Sequence, residues 1–233
     1  MLNGINAFIL HKREYRETSY LVDAFSAEYG KLSFVAKGVR SSKSHNKSLL
    51  QPFQPLELTL YGKHELKNLS VCEANGKAYQ LLGKALYSGL YLNELINRLL
   101  HSEYPYADLF ELYRRSIQQL ALAQPIEPIL RCFEFGLLAD MGYALNFDTD
   151  GASGESIQPA GYYQWIEEQG FIPLAGPMTS RNCFSGSDLL AIAGQQWQQS
   201  SLSCAKIISR MALQPLLGSK PLKSRELFMR EKS

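Results

Sequence analysis

The hydrophobic pattern of this chain changes period once, near residue 80, and that change constrains its fold more than any other feature. Upstream, short β-rich stretches alternate with turn residues at fairly even spacing. Five strands are predicted: Ile5 to Lys12, Thr18 to Phe25, Lys31 to Lys37, Leu56 to Tyr61 and Leu66 to Glu73. Leu56-Glu57-Leu58-Thr59-Leu60 alternates strictly, which puts three leucines on one face of a strand and polar groups on the other. Gly30 and Gly62 punctuate hairpins, since glycine tolerates the positive φ of tight turns. Five short strands in about 75 residues suggest a small closed barrel, and the OB-fold is the best-known five-stranded case.

Downstream the period is helical. Leu82, Leu86 and Leu90, then Leu92, Ile96 and Leu99, recur at that spacing, with Glu94 four residues before Arg98 on a polar face. A second helix is predicted from about Asp108 to Leu122 and a third from Ile126 to Met141, the latter between Pro125 and Gly142. Residues 143–186 are turn-rich and then aromatic, which favours a small β insertion over helix. Helical pattern returns from Leu202 to Leu217, where Pro215 should kink or end it, and a last short helix is predicted with Ser224 as its cap. The predicted class is therefore α+β: an N-terminal five-stranded OB-fold β-barrel over 1–80, then an α-helical domain over 81–233.

Charge is unevenly placed. Residues 1–80 hold 11 Lys/Arg against 7 Asp/Glu, residues 81–203 hold 6 against 13, and residues 204–233 hold 7 against 2. Two basic ends flanking an acidic middle imply separate electrostatic tasks, because a local field attracts polyanions whatever the net charge. No apolar run approaches the ~18 residues of a membrane helix, so neither a signal peptide nor a membrane anchor is predicted. Cys72, Cys132, Cys183 and Cys204 form no C-x-x-C pair, which fits a reducing cytoplasm and gives no zinc knuckle.

Catalytic motifs are scarce. His64-Glu65-Leu66-Lys67-Asn68 starts like a zinc-protease motif but ends on Asn68, and Asp148 and Asp150 start a calcium-like loop that no acidic residue closes. P-loop, G-x-G-x-x-G and G-x-S-x-G patterns are missing from the sequence. Neither an enzyme nor a cofactor is predicted. A nuclease would need a carboxylate cluster for metal, which the basic segments lack.

Tyr29 to Leu56 carries Lys31, Lys37, Arg40, Lys43 and Lys47 with no acidic residue, interleaved with Ser41, Ser42, Ser44, His45, Asn46 and Ser48. Such a run is either a solvated face or a phosphate-binding loop, and leaving the third strand of a small barrel favours the second. Five phosphate contacts would give log K a slope of roughly −3.5 against log salt on single strands. Tyr15, Tyr20, Tyr29 and Phe34 are the aromatic candidates for base stacking, although alternation puts Phe34 on the core face with Leu32 and Ala36. Arg210, Lys220, Lys223 and Arg225 form a second basic set, explicable either by helix dipoles or by nucleic acid.

Tyr15-Arg16-Glu17-Thr18-Ser19, Gly30-Lys31-Leu32, Val35-Ala36-Lys37-Gly38-Val39-Arg40, Leu49-Leu50-Gln51-Pro52-Phe53 and Pro221-Leu222-Lys223-Ser224-Arg225-Glu226-Leu227-Phe228 resemble the bacterial recombination mediator RecO family. Tyr87-Ser88-Gly89-Leu90-Tyr91 and Leu130-Arg131-Cys132-Phe133-Glu134 extend the resemblance over nearly the whole chain. It implies a nucleoid-associated mediator of the RecF repair pathway that binds single- and double-stranded DNA, anneals complementary strands and, with RecR, helps load RecA onto strands coated with single-strand-binding protein (SSB). A non-catalytic adaptor without DNA contact is the alternative. Many such proteins carry a four-cysteine zinc module, whereas residues 148–183 here hold only Cys183, so a metal-free version packed by Tyr162, Trp165 and Phe171 is expected. The resemblance also implies a site for the acidic, phenylalanine-ended tail of SSB. Arg131 with Leu130, Phe133 and Leu137 is the expected place, unless Arg131 merely pairs with Glu134 or Glu127.

Overall fold

The computed structural model describes residues 1–40, 46–102, 104–177, 180 and 182–230, the side chains at 229 and 230 excepted. By contacts the chain forms two compact units, Met1–Ile126 with Lys220–Ser233, and Glu127–Ser219.

The first unit is built on five strands, β1 (Leu2–Tyr15), β2 (Ser19–Ser26), β3 (Gly30–Ala36), β4 (Leu56–Tyr61) and β5 (Lys67–Ala74), closed in the order β1-β2-β3-β5-β4. All neighbours are antiparallel except β3 and β5, which pair in parallel. The long β1 closes the barrel because its first half pairs with β4 and its second with β2, with a register shift between Ile9 and His11 where the strand bends. Alternation fills the interior as the sequence implies: Leu56, Leu58 and Leu60 point inward with Leu32, Phe34 and Ala36. Phe34 is thus a core residue, not a stacking platform. Leu50, just after the single-turn α1 (Asn46–Leu49), joins the same core. Gly30 has φ +58, and a Cβ there would meet the Tyr104 carbonyl oxygen, so this hairpin requires glycine on two counts.

This unit extends past the boundary expected near residue 80 for a physical reason. Phe8 and Phe25, paired across β1 and β2, face outward and need an apolar cover. Phe110 and Tyr113 of α3 (Ala107–Ala121) supply it, with ring centroids 5.2 to 5.9 Å from the two phenylalanines. From α2 (Gly83–Leu99), the buried Asn93 side chain donates to the carbonyls of Ile9 and Leu10 at the β1 bend, each at 3.3 Å, and Tyr113 donates to Asn93 Oδ1 at 2.6 Å. Leu92, Ile96 and Leu99 are buried on α2 as read, whereas Leu82 is 82% exposed and precedes the helix.

The chain end returns to this unit. Glu94 accepts from the backbone N–H groups of Lys223 and Ser224 and from the Ser224 hydroxyl, while Arg98 donates to the carbonyls of Lys220 and Pro221. Ser224 is therefore held by Glu94, where a role capping α7 (Ser224–Arg230) had been expected. Leu222 is buried, and Phe228 of α7 meets Tyr87 of α2 edge-on.

The second unit contains α4 (Ile126–Asp140), whose first residue belongs to the other unit, a three-stranded sheet in the order β7-β6-β8, α5 (Gly186–Ala193) and α6 (Gln199–Leu217). The strands are β6 (Tyr162–Ile166), β7 (Gly170–Leu174) and β8 (Cys183–Ser185). Helix α5, absent from the sequence reading, starts where the Ser185 hydroxyl accepts from the Asp188 N–H. Pro215 lies inside α6, which ends two residues later, before Gly218 at φ +66. Tyr163, Trp165, Phe171, Phe184 and Phe147 pack with Leu189, Ile192 and Ile208. The inward tyrosine is Tyr163 rather than Tyr162, because the phase of β6 is set by Trp165 two residues on.

Candidate nucleic-acid interface

A groove of about 710 Å³ opens on the barrel between the β1–β2 turn and the loop from β4 to β5. Tyr15, Arg16, Glu17, Thr18 and Ser19 form one wall, Leu66, Lys67 and Asn68 the other, and Val35 and Lys37 lie between them. The parallel pairing of β3 with β5 sets Lys67 beside Phe34 and Asn68 beside Val35, which brings the two distant loops to one place. The lining carries three cations, Arg16, Lys37 and Lys67, and one carboxylate, Glu17. Arg16 has φ +51, and its guanidinium lies 5.3 Å from the centre of the Tyr15 ring, an aromatic face already paired with a cation. Lys67 Nζ donates to the His64 carbonyl at 2.7 Å. Polar, cationic and aromatic groups on one concave strip of an OB-type barrel suit a flexible polyanion with stackable bases.

Of the five expected loop cations, Lys37 lies in this groove and Lys47 is exposed on α1, while Lys43 lies outside the described residues. The other two have protein partners. Lys31 Nζ donates to the Asn97 carbonyl in the last turn of α2 at 3.1 Å, where a cation complements the helix dipole. Arg40 is bound to the β1–β2 turn: its Nη1 donates to the carbonyls of Arg16 and Glu17 at 3.1 and 3.0 Å, and its Nη2 lies 2.8 Å from Glu14. Arg16, Lys67 and Tyr15 complete the site. The sequence reading left Tyr15 open and passed over the two cations, Arg16 in the β1–β2 turn and Lys67 at the start of β5. Tyr20 and Tyr29 pack half-buried against the barrel core, and Lys12 Nζ, itself donating to the Leu50 carbonyl, lies over the Tyr20 ring.

The second basic set is divided between the units. Lys220 and Lys223 are exposed and Arg225 half-buried in the barrel's unit, whereas Arg210 is exposed on α6 of the other.

The expected tail-binding quartet is buried, and Arg131 is in the alternative arrangement, paired with Glu134. Arg131 is 5% exposed, 2.7 Å from the carboxylate of Glu134, and its Nη1 donates to the Ser209 hydroxyl at 2.6 Å. Leu130, Phe133 and Leu137 are buried as well, so all four side chains are turned away from solvent. Helical phase explains the difference: Arg131 shares the inward side of α4 with Glu134 and Leu138, three and seven residues on.

Among the described residues no three His, Cys, Asp or Glu side chains are grouped to hold a metal. The insertion does not fit zinc. The Asp150 carboxylate instead accepts from the N–H groups of Ala152 and Ser153 and from the Ser153 hydroxyl, and the N–H of Ser153 above all holds its pKa below the ordinary aspartate value. Among the described residues no helix is long and apolar enough to cross a membrane.

Comparison with known proteins agrees with this architecture. Residues 1–76 match the family model described as recombination protein O N terminal, and residues 82–226 the one described as recombination protein O C terminal. The chain is 48% identical to a DNA repair protein RecO of Pseudoalteromonas atlantica over 224 residues, covering 96% of this chain and 93% of that one. It is 45% identical to a DNA repair protein RecO of Actinobacillus pleuropneumoniae serotype 5b over 229 residues, 97% and 94% of the two chains. The corresponding protein of Vibrio parahaemolyticus is 42% identical over 223 residues, 95% and 91% of the two. With both halves matched and the identity extending almost from end to end, the chain belongs to the recombination protein O family, RecO, of DNA repair proteins.

Proposed function

We propose that this chain acts in recombinational repair by binding single-stranded DNA along the barrel groove and bringing complementary strands together. The observation that carries the reading is the convergence of Arg16, Lys37 and Lys67 with Tyr15 on one concave strip of the barrel. Two bare strands repel through their phosphates. Cations that neutralise both backbones release condensed counterions and let bases approach pairing distance without sequence being read.

In this reading Arg16, Lys37 and Lys67 follow one backbone, with Lys43 and Lys47 extending the track. Lys220, Lys223, Arg225 and Arg210 are the second set, for a further strand or a duplex. The barrel supplies no chemistry. Annealing is charge neutralisation and proximity, which needs no cofactor. RecR and the acidic tail of SSB are the protein partners in this reading, and loading of RecA onto SSB-coated strands is the step the three would serve together.

The test is a salt titration of oligothymidylate binding and of strand annealing by the purified chain. Five phosphate contacts give a slope of roughly −3.5 in log K against log salt, and each of Arg16→Gln, Lys37→Gln and Lys67→Gln flattens it by about 0.7. A chain that ignores oligonucleotides in dilute buffer overturns the reading and leaves an adaptor that contacts proteins alone. Adding SSB tail peptide to the same titration, and measuring its binding directly, tests that partner.

A further inference from the structure

We infer that Arg40 is a positioning residue that shapes the groove, not one of its phosphate contacts; this rests on the groove reading above. Four interactions tie this one residue to the β1–β2 turn. Its backbone N–H donates to the Thr18 carbonyl at 3.0 Å, its Nη1 donates to the carbonyls of Arg16 and Glu17, and its Nη2 meets Glu14 at 2.8 Å. The turn so held is a whole wall of the groove.

The turn needs holding. Arg16 adopts φ +51, a left-handed conformation that costs an L side chain about a kcal/mol, and its carbonyl and that of Glu17 are turned out of the β1–β2 ladder. A guanidinium suits this task because its planar fork offers several donors at fixed angles, so one group spans two carbonyls and a carboxylate. A lysine carries the same charge but no fork. With the turn fixed, Arg16 stays against the Tyr15 ring and both face the groove, so DNA does not bear the cost of ordering them.

The experiment uses charge against geometry. Were Arg40 a phosphate contact, Arg40→Lys would be nearly silent, Arg40→Gln would flatten the salt slope by about 0.7, and Glu14→Gln, which deletes a negative charge, would tighten binding. A positioning role predicts a different outcome for each. Arg40→Lys and Glu14→Gln both weaken oligothymidylate binding, by about threefold to tenfold, Arg40→Gln leaves the slope at the wild-type value, and the double variant Glu14→Gln/Arg40→Lys is no weaker than the poorer single one. Affinity is measured at 25 °C on protein with native circular dichroism, so a general loss of stability does not register. Wild-type or tighter binding by Glu14→Gln, or a flattened slope in Arg40→Gln, overturns the positioning role alone. Unchanged binding by Lys37→Gln and Lys67→Gln overturns the groove, and the role of Arg40 with it.

Discussion

Replacing Tyr113 by Phe removes one oxygen from the centre of the barrel's unit, and the structure sets what that oxygen contributes. Its hydroxyl donates to Asn93 Oδ1 at 2.6 Å, Asn93 is 2% exposed, and the amide in turn donates to the Ile9 and Leu10 carbonyls where β1 bends. Tyr113→Phe leaves the buried Asn93 oxygen without this donor, a loss of about 1.5 kcal/mol. Asn93→Leu removes the donor to both carbonyls and the acceptor of the tyrosine together, a loss of about 3 kcal/mol. The double variant should be less stable than Asn93→Leu by under about 0.5 kcal/mol, since the hydroxyl's partner is already gone, which makes the coupling about 1 kcal/mol. The assay is urea unfolding. With a slope of about 2 kcal/mol per molar, the midpoint falls by about 0.7 M for Tyr113→Phe and about 1.5 M for Asn93→Leu. The probe matters, because Trp165 and Trp197 both lie in Glu127–Ser219, so tryptophan emission reads the other unit. Ten of the 13 tyrosines lie in the barrel's unit, and tyrosine absorbance follows it. A Tyr113→Phe midpoint equal to wild type, or full additivity in the double variant, refutes the argument.

Three further outcomes follow from other sites. Burial pushes the Cys72 thiol up to about 11, which leaves roughly one thiolate in a thousand at pH 8, so a thiol reagent should modify Cys72 far more slowly in the native than in the urea-unfolded chain; equal rates refute this. Lys206 Nζ donates to Glu127 at 2.8 Å and holds that carboxyl below its ordinary value, so the pair stabilises above the unfolded carboxylate pKa near 4.5 and is lost as pH falls through the lower folded value. Both side chains are partly exposed, so the contribution is a few tenths of a kcal/mol, and Glu127→Gln should flatten acid unfolding of this unit only slightly; a change above about 1 kcal/mol refutes the assignment. Arg98→Ala combined with Glu94→Gln should free the 220–224 segment and speed proteolysis near Lys220 and Lys223 severalfold in a timed digest; an unchanged cleavage pattern refutes the clamp.

The barrel was legible where one face is buried and the other wet. Leu56 to Tyr61 was read with its observed ends because its alternation is strict, but β1 runs from Leu2 to Tyr15, well beyond Ile5 to Lys12. Its extra residues, Leu2 and Tyr15 apart, are polar or glycine and are held in the strand by pairing with β2 and β4, which leaves no alternating hydrophobic signature. Asn93 and the burial of Arg131 were beyond reach for a related reason: each is a polar residue on an inward helix face, and periodicity counts only apolar ones, although the Arg131–Glu134 pair itself was among the readings. Helix α5 has two turns and buries only Leu189 and Ile192 as large side chains, too few to define a period. Lys37 could be found from its own neighbours. Arg16 and Lys67 could not, because a single parallel pairing between β3 and β5 brings together loops about 50 residues apart in sequence.

The barrel's unit is discontinuous, with residues 127–219 inserted between its two parts. Synthesis therefore releases the barrel and α2 long before the segment that seats Leu222 and meets Glu94 and Arg98. While the ribosome works through the intervening residues, that helix face stays bare until residues 220–224 emerge to cover it. A nascent chain that has not reached residue 220 would thus leave Glu94, Arg98 and their helix face uncovered, a mark that chaperones and proteases can read.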